Sequence, residues 1–222
     1  VGDLVTHPGV VSLVSTILGT EPTYFGDSNI SIRSVGRGYH KDNADRYDAS
    51  APDWQSDYPV VRVGVYLQDH NHHSGGLNVR KGSHRTANVR KGSTRYLRTQ
   101  VGDVAVWSLR ATHSANGVVL RFGKPIPVAP GVAARIPKKL TRQPDGDRIG
   151  VFLTYGEHGP HLDRYISYLK TRDYQRKNWT ESVWPTASYA KAESSGLKLL
   201  WPWEPNDAAD NASFEEYRQL PY

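Results

Sequence analysis

The chain of 222 residues contains no cysteine and no methionine. Without cysteine there is no disulfide framework, no thiolate nucleophile and no thiolate metal site, though this does not locate the protein. No run of 18 apolar residues occurs, so the sequence reads without a membrane-spanning helix. Nor does a basic n-region followed by an apolar h-region open the chain, and a cytoplasmic protein with no membrane partner is the expectation. Charge of one sign is only slightly in excess: 28 Lys and Arg stand against 22 Asp and Glu, giving +6. Much of that excess sits in Arg80, Lys81, Arg85, Arg90, Lys91, Arg95 and Arg98. Aromatic residues do not interleave with this cluster as on a single-strand binding surface, so no nucleic-acid partner is expected. It reads either as a solvated loop or as an electropositive rim that draws anionic small molecules.

What the chain does have is a pair of polar segments far apart in sequence, Gly38-Tyr39-His40-Lys41-Asp42 and Thr112-His113-Ser114-Ala115-Asn116. Two residues apart on a strand, His40 and Asp42 point to one face. If a neighbouring strand adds His113, two imidazoles and a carboxylate converge on one point. That is the donor set with which non-haem Fe(II) oxygenases hold one face of the metal and leave the other open. By itself His-x-Asp is a weak pattern, and its surroundings give it weight.

Between the two segments lie Val61–Asp69, then Ser74-Gly75-Gly76-Leu77 running into Gly82-Ser83-His84, then Val101-Gly102-Asp103-Val104. In this order the chain resembles the phytanoyl-CoA dioxygenase family of Fe(II)- and 2-oxoglutarate-dependent oxygenases, over residues 39–116. The resemblance implies a double-stranded β-helix, a jelly roll of the cupin kind. It implies Fe(II) held by His40, Asp42 and His113, with 2-oxoglutarate as co-substrate and a small-molecule substrate. It also implies hydroxylation of a C–H bond with release of succinate and CO2. In halogenating relatives a small residue stands where Asp42 is, so hydroxylation is the expected outcome here. Family members carry several dozen residues before the segment resembling His7–Gly19, and with no Met at position 1 an N-terminal portion is expected to be missing.

An arginine downstream of the second metal histidine, on an inward strand, is implied as the anchor of the distal carboxylate of 2-oxoglutarate. Guanidinium suits it because its planar fork meets a carboxylate at two points. The family places it about a dozen residues on, and this sequence departs from that. Arg121 lies eight residues after His113 and Arg148 thirty-five. Arg148 is preferred, because Arg148–Tyr155 reads as the Arg-headed core strand and Gly150 leaves room for a ligand. Residues 117–147 are then an insertion, and long loops beside active sites often act as lids.

The coarse pattern is mainly β with flanking helices, in a single domain over residues 1–222. A helix is expected from Thr6 as N-cap to Gly19, and another over His161–Asn178. Strands are expected around Ile30–Val35, Val60–Gln68, Val104–Leu109, Val118–Phe122 and Ile149–Tyr155. The Trp- and Pro-rich tail, residues 179–222, reads as an irregular segment packed on the barrel or as an aromatic wall of a pocket. His70, His72 and His73 read as turn residues that are solvated or hold adventitious metal, and His84 as bonded within its loop. The hexapeptide Asn78–Ser83 returns as Asn88–Ser93, a local duplication and not a solenoid. Two other readings stay open: a cupin-type metalloenzyme that does not use 2-oxoglutarate, and a non-catalytic small-molecule-binding jelly roll.

Overall fold

The computed structural model describes residues 2–32, 38–115, 117–122, 125–126, 130–143, 146–181 and 184–202. Asn116 of the second segment, and Trp203 with the rest of the tail, lie outside them. Helices α1 (Gly2–Val5) and α2 (Pro8–Leu18) open the chain, and α3 (Pro130–Ala133), α4 (Pro160–Lys170), α5 (Asp173–Glu181) and α6 (Thr186–Ser195) come late. Between and among them run β1 (Thr23–Ile32), β2 (Val60–Tyr66), β3 (Asn78–Lys81), β4 (Ser93–Tyr96) and β5 (Val104–Ser108). The remaining strands are β6 (His113–Ser114), β7 (Val118–Val119), β8 (Pro125–Ile126), β9 (Ile149–Gly156) and β10 (Lys198–Leu199). A five-stranded sheet has the order β10-β1-β9-β2-β5, a second has β4-β3-β6, and β7 pairs with β8. Strands flanked by helices are thus the architecture, as the sequence pattern implies.

By Cα proximity the chain divides into two compact units, the first made of Val1–Ser28, Pro59–Val61 and Leu153–Tyr222. Its core comes from Val10, Val11 and Val14 of α2, Tyr24 and Phe25 of β1, Leu153 and Tyr155 of β9, and the apolar side of α4. Tyr24 and Tyr155 pack with ring centroids 5.4 Å apart, and the Tyr155 hydroxyl donates to Val5 O at 2.9 Å. Asp27, buried in β1, accepts hydrogen bonds from Thr154 Oγ1 at 2.6 Å and the Tyr165 hydroxyl at 3.0 Å. Gly26 has φ 80°, and a Cβ there would stand 2.8 Å from Trp179 Nε1, so the buried indole and the left-handed backbone both require glycine. Trp184 packs edge-on to Tyr24 and Trp201 edge-on to Trp184. Just beyond α6, β10 adds a parallel strand to β1.

Three expectations are corrected in this unit. The N-cap of α2 is His7, whose Nδ1 accepts from Gly9 N at 3.2 Å, because Thr6 is used by the turn of α1, donating to Gly2 O. The second long helix is two, since the Thr171 hydroxyl and the Arg172 N–H close the end of α4 before Asp173 starts α5. Strand β1 begins at Thr23, seven residues before Ile30, and the expected strand's residues from Arg33 to Val35 lie outside the described ones.

The second unit, Asn29–Tyr58 and Arg62–Phe152, contains the β4-β3-β6 sheet and the neighbouring parts of β2, β5 and β9. Tyr66, Leu77, Ala105, Trp107 and Ala111 form its core, with Val79, Leu97 and Phe152 packed against them. Side chains of both sheets therefore meet in one apolar layer, the arrangement of a sandwich of the jelly-roll type. Of the expected strand Val118–Phe122 only Val118–Val119 forms, because Leu120 bridges to Thr141 and Phe122 is out in solvent. The segment is rooted at Ser74, whose N–H donates to Arg142 O and whose hydroxyl is bonded to Val119.

Candidate metal centre and anion pocket

The structure brings His40, Asp42 and His113 together. His40 pairs with β6 through a bridge to His113, and the backbone N–H groups of the two histidines donate to each other's carbonyls at 3.1 and 3.0 Å. The Asp42 N–H is fixed to Leu109 O at 2.9 Å. One ligand atom from each of the three side chains lies within 4.8 Å of the others, and among the described residues no other group of three His, Cys, Asp or Glu does so.

Imidazole orientation is set from behind. Nδ1 of His40 is 2.8 Å from Gly38 O, and Nδ1 of His113 is 3.0 Å from Ala111 O. A carbonyl can only accept, so Nδ1 carries a hydrogen in each ring, and the neutral ring then has its lone pair on Nε2. Those Nε2 atoms stand 3.6 and 3.4 Å from the Asp42 oxygens. Fixing the tautomer through the far nitrogen is how metal-binding histidines are prepared. Burial, opposed by Asp42, brings His113 down to about 4, so its ring is neutral at neutral pH. For Asp42, burial alone would raise the carboxyl, but His113, Arg62, His40 and Arg46 outweigh it and hold it well below the usual range. Arg62, 3.7 Å away, keeps a permanent positive charge beside the carboxylate. The side chains of His40 and Asp42 keep a fifth of their surface exposed, against 8% for His113, so the cluster is open on one side. Two imidazole nitrogens, one carboxylate and an open side fit Fe(II).

Arg148 is buried, and its Nε donates to Gly75 O at 2.6 Å. Its guanidinium carbon lies 5.8 Å from the Tyr66 ring centroid, and Tyr66 meets the His70 ring edge-on at 5.3 Å. Arg148 Nη2, the Tyr66 hydroxyl and both ring nitrogens of His70 are buried without a hydrogen-bond partner. Buried polar atoms are rarely left so, and a guanidinium nitrogen with three such atoms beside it fits the carboxylate end of an anion such as 2-oxoglutarate. Gly75 has φ 99°, and a Cβ on it would come within 3.0 Å of Arg148 Cδ, so this turn must be glycine for the arginine to lie down. Arg121, in contrast, is exposed, and its carbonyl accepts from Arg142 Nη2.

One face of β2 serves both places. Alternation puts Arg62, Gly64 and Tyr66 on the same side. Arg62 is beside Asp42, Trp107 lies over Gly64, and Tyr66 is beside Arg148. Trp107 also stands 5.3 Å from the His113 ring.

His70 is a further correction. It is wholly buried, not a solvated turn residue, and burial with Arg148 nearby pushes it down to about 4. His72, by contrast, is exposed and bonded to Asp69 at 2.6 Å. Sequence reasoning missed Tyr66, His70 and Lys41. The alternation along Arg62–Tyr66 was the signal for Tyr66, and nothing local marks the other two as buried.

No family model matches the chain, and no curated protein matches it. Among solved structures it is similar to a non-haem monooxygenase, ThoJ, in its nickel complex, with 19% identity and a TM-score of 0.47 over 69% of this chain and 52% of that one. It is similar to the non-haem α-ketoglutarate-dependent epimerase SnoN from nogalamycin biosynthesis, with 16% identity and a TM-score of 0.48 over 70% of this chain and 55% of that one. A third is EctD from S. alaskensis with 2-oxoglutarate and 5-hydroxyectoine, at 19% identity and a TM-score of 0.45, covering 69% and 50%. The chain thus spans about half the length of these proteins. At such identities the likeness concerns the fold alone and says nothing of the reaction. Among the described residues no helix is long and apolar enough to cross a membrane.

Proposed function

We propose that this protein is an Fe(II)- and 2-oxoglutarate-dependent oxygenase that hydroxylates a C–H bond of a small-molecule substrate. The observation that carries the reading is the convergence of His40 Nε2, His113 Nε2 and the Asp42 carboxylate, with both Nδ1 atoms tied to backbone carbonyls. Iron bound there with 2-oxoglutarate would supply oxygen activation, coupling decarboxylation to succinate with transfer of one oxygen atom to the substrate.

This chain's own residues do the rest. His40, Asp42 and His113 hold one face of the metal, and Arg62 keeps Asp42 ionised. Arg148 takes the distal carboxylate of 2-oxoglutarate, and the Tyr66 hydroxyl and neutral His70 give that end further polar partners. Trp107 and Phe152, 6.3 Å apart, place apolar surface between the two pockets and exclude water there. The 117–147 segment, rooted at Ser74 beside Gly75, serves as a lid. Basic side chains around β3 and β4 favour an anionic substrate.

The test is release of succinate by the full chain with Fe(II) and 2-oxoglutarate, screened over a metabolite library. Succinate that rises with one substrate class, together with hydroxylated product, supports the reading. Oxidation of a substrate without succinate would move the protein to the cupin alternative. Because Asp42 fills the position a halide would need, turnover in excess chloride is expected to give hydroxylated and not chlorinated product.

A further inference from the structure

Lys41 sits between two of the three ligands in sequence, and alternation turns it away from them. Its side chain is wholly buried. Nζ donates to Ser83 O at 2.7 Å and to Arg110 O at 2.6 Å, under the ring of Trp54 at 5.2 Å. Its partners there are carbonyls and a ring, and no carboxylate is among them. Stability alone would favour an apolar side chain of similar length, since burying an ammonium carries a desolvation cost.

What those partners are attached to explains the lysine. Ser83 Oγ accepts from Thr112 N at 2.8 Å, the amide immediately before His113, and donates to Arg80 O at 2.7 Å. Arg110 is three residues before His113. Its guanidinium is held by Asp53 O and Ser56 O and lies 5.5 Å from the same Trp54 ring. One turn, Gly82-Ser83-His84, therefore grips the His40–Asp42 arm through a carbonyl and the His113 arm through a hydroxyl.

We propose that Lys41 and the Ser83 turn form a strut that sets the spacing of the three ligand atoms, making Lys41 a positioning residue for the metal. This rests on the reading that His40, Asp42 and His113 bind a divalent ion. Charge alone gives the opposite expectation: an ammonium repels a nearby dication, so removing it would tighten metal binding. A strut gives weaker binding when Lys41 is lost, because the ligands are then free to spread.

The experiment is Co(II) titration of the full chain, read by visible absorption, with the urea midpoint of the metal-free protein measured in parallel. Lys41→Met is expected to bind Co(II) at least about tenfold more weakly, with an altered visible band. Lys41→Arg, which keeps donors, is expected to recover part of the loss. Ser83→Ala is expected to weaken binding by about threefold to tenfold. Equal or tighter Co(II) binding by Lys41→Met, with only a lowered urea midpoint, would overturn the proposal. Should Lys41→Met not fold, unchanged affinity and spectrum in both Lys41→Arg and Ser83→Ala would overturn it as well. Co(II) binding that His113→Ala leaves intact would sink the metal reading, and the strut with it.

Discussion

Asp27 in β1 and Arg148 at the head of β9 are both buried ionisable side chains, and their surroundings differ in kind. Asp27 accepts from two buried hydroxyls, those of Thr154 and Tyr165. Arg148 has one nitrogen on Gly75 O and another with no partner, next to a phenol and an imidazole that also lack partners. Polarity closed on itself holds a fold together, whereas polarity left open waits for something to arrive. The candidate metal cluster is intermediate. Its imidazoles are satisfied on the Nδ1 side and open on the Nε2 side.

The largest effect is expected where openness is structural to the site. The His40→Ala, His113→Ala double variant should lose Fe(II) affinity by more than about a hundredfold, measured by titration with a colorimetric iron chelator as competitor. Full iron occupancy in that variant would refute the ligand assignment. On the closed side, Asp27→Ala should lower unfolding free energy by about 2–4 kcal/mol, because two buried hydroxyls lose their acceptor. Metal titration of the folded fraction should not change. A loss under about 1 kcal/mol would mean that the two hydroxyls find other acceptors, and the contrast with Arg148 would fail.

Arg148→Ala should weaken 2-oxoglutarate binding by about tenfold to over a hundredfold while leaving iron binding nearly unchanged. Arg148→Lys should rescue only in part, since an ammonium keeps the charge and loses the fork. Arg121→Ala should stay within about threefold, consistent with its exposed position. The opposite pattern would place the insertion after the anchor strand.

The smallest effect is read from pH. His70 is depressed to about 4 in the fold, while an unfolded histidine titrates near 6.5. Between those values the unfolded chain binds more protons, so stability is full above about 6.5 and falls as pH drops toward 4. Urea unfolding of the metal-free protein should show about 1–2 kcal/mol of loss from pH 7 to pH 5 attributable to His70. That part should vanish in His70→Phe, and His113, depressed likewise, leaves a remainder of the same sign. An identical pH slope in parent and variant would contradict the burial of His70.

The sequence makes the three proposed ligands visible because strand alternation and a short motif act locally, and Arg148 as the proposed anchor because it heads an apolar strand. Other features depend on distant chain. Asp27 makes β1 look polar until Thr154 and Tyr165 arrive from residues more than a hundred positions away. The duplicated hexapeptide puts the limit most plainly. Asn78–Lys81 is strand and Ser83 is buried, whereas Asn88–Gly92 is turn and Ser93 is exposed. In the folded chain the first copy grips the second, as Arg80 Nη1 donates to Arg90 O and Gly92 O. Six identical residues take two conformations, so partners and not propensity decide between them. Lys41 and His70 are hidden for the same reason, since nothing adjacent to them shows that they are enclosed.

Trp107 has an optical consequence. Its ring stands 5.3 Å from that of His113, close enough for an open-shell ion on the far side of that imidazole to drain its excited state. The chain has six tryptophans, and the emission lost on adding Co(II) or Fe(II) would come chiefly from this one. The proposed centre therefore carries its own fluorescent gauge of occupancy, which Trp107→Phe would silence, and it can be read in dilute protein before any substrate is known.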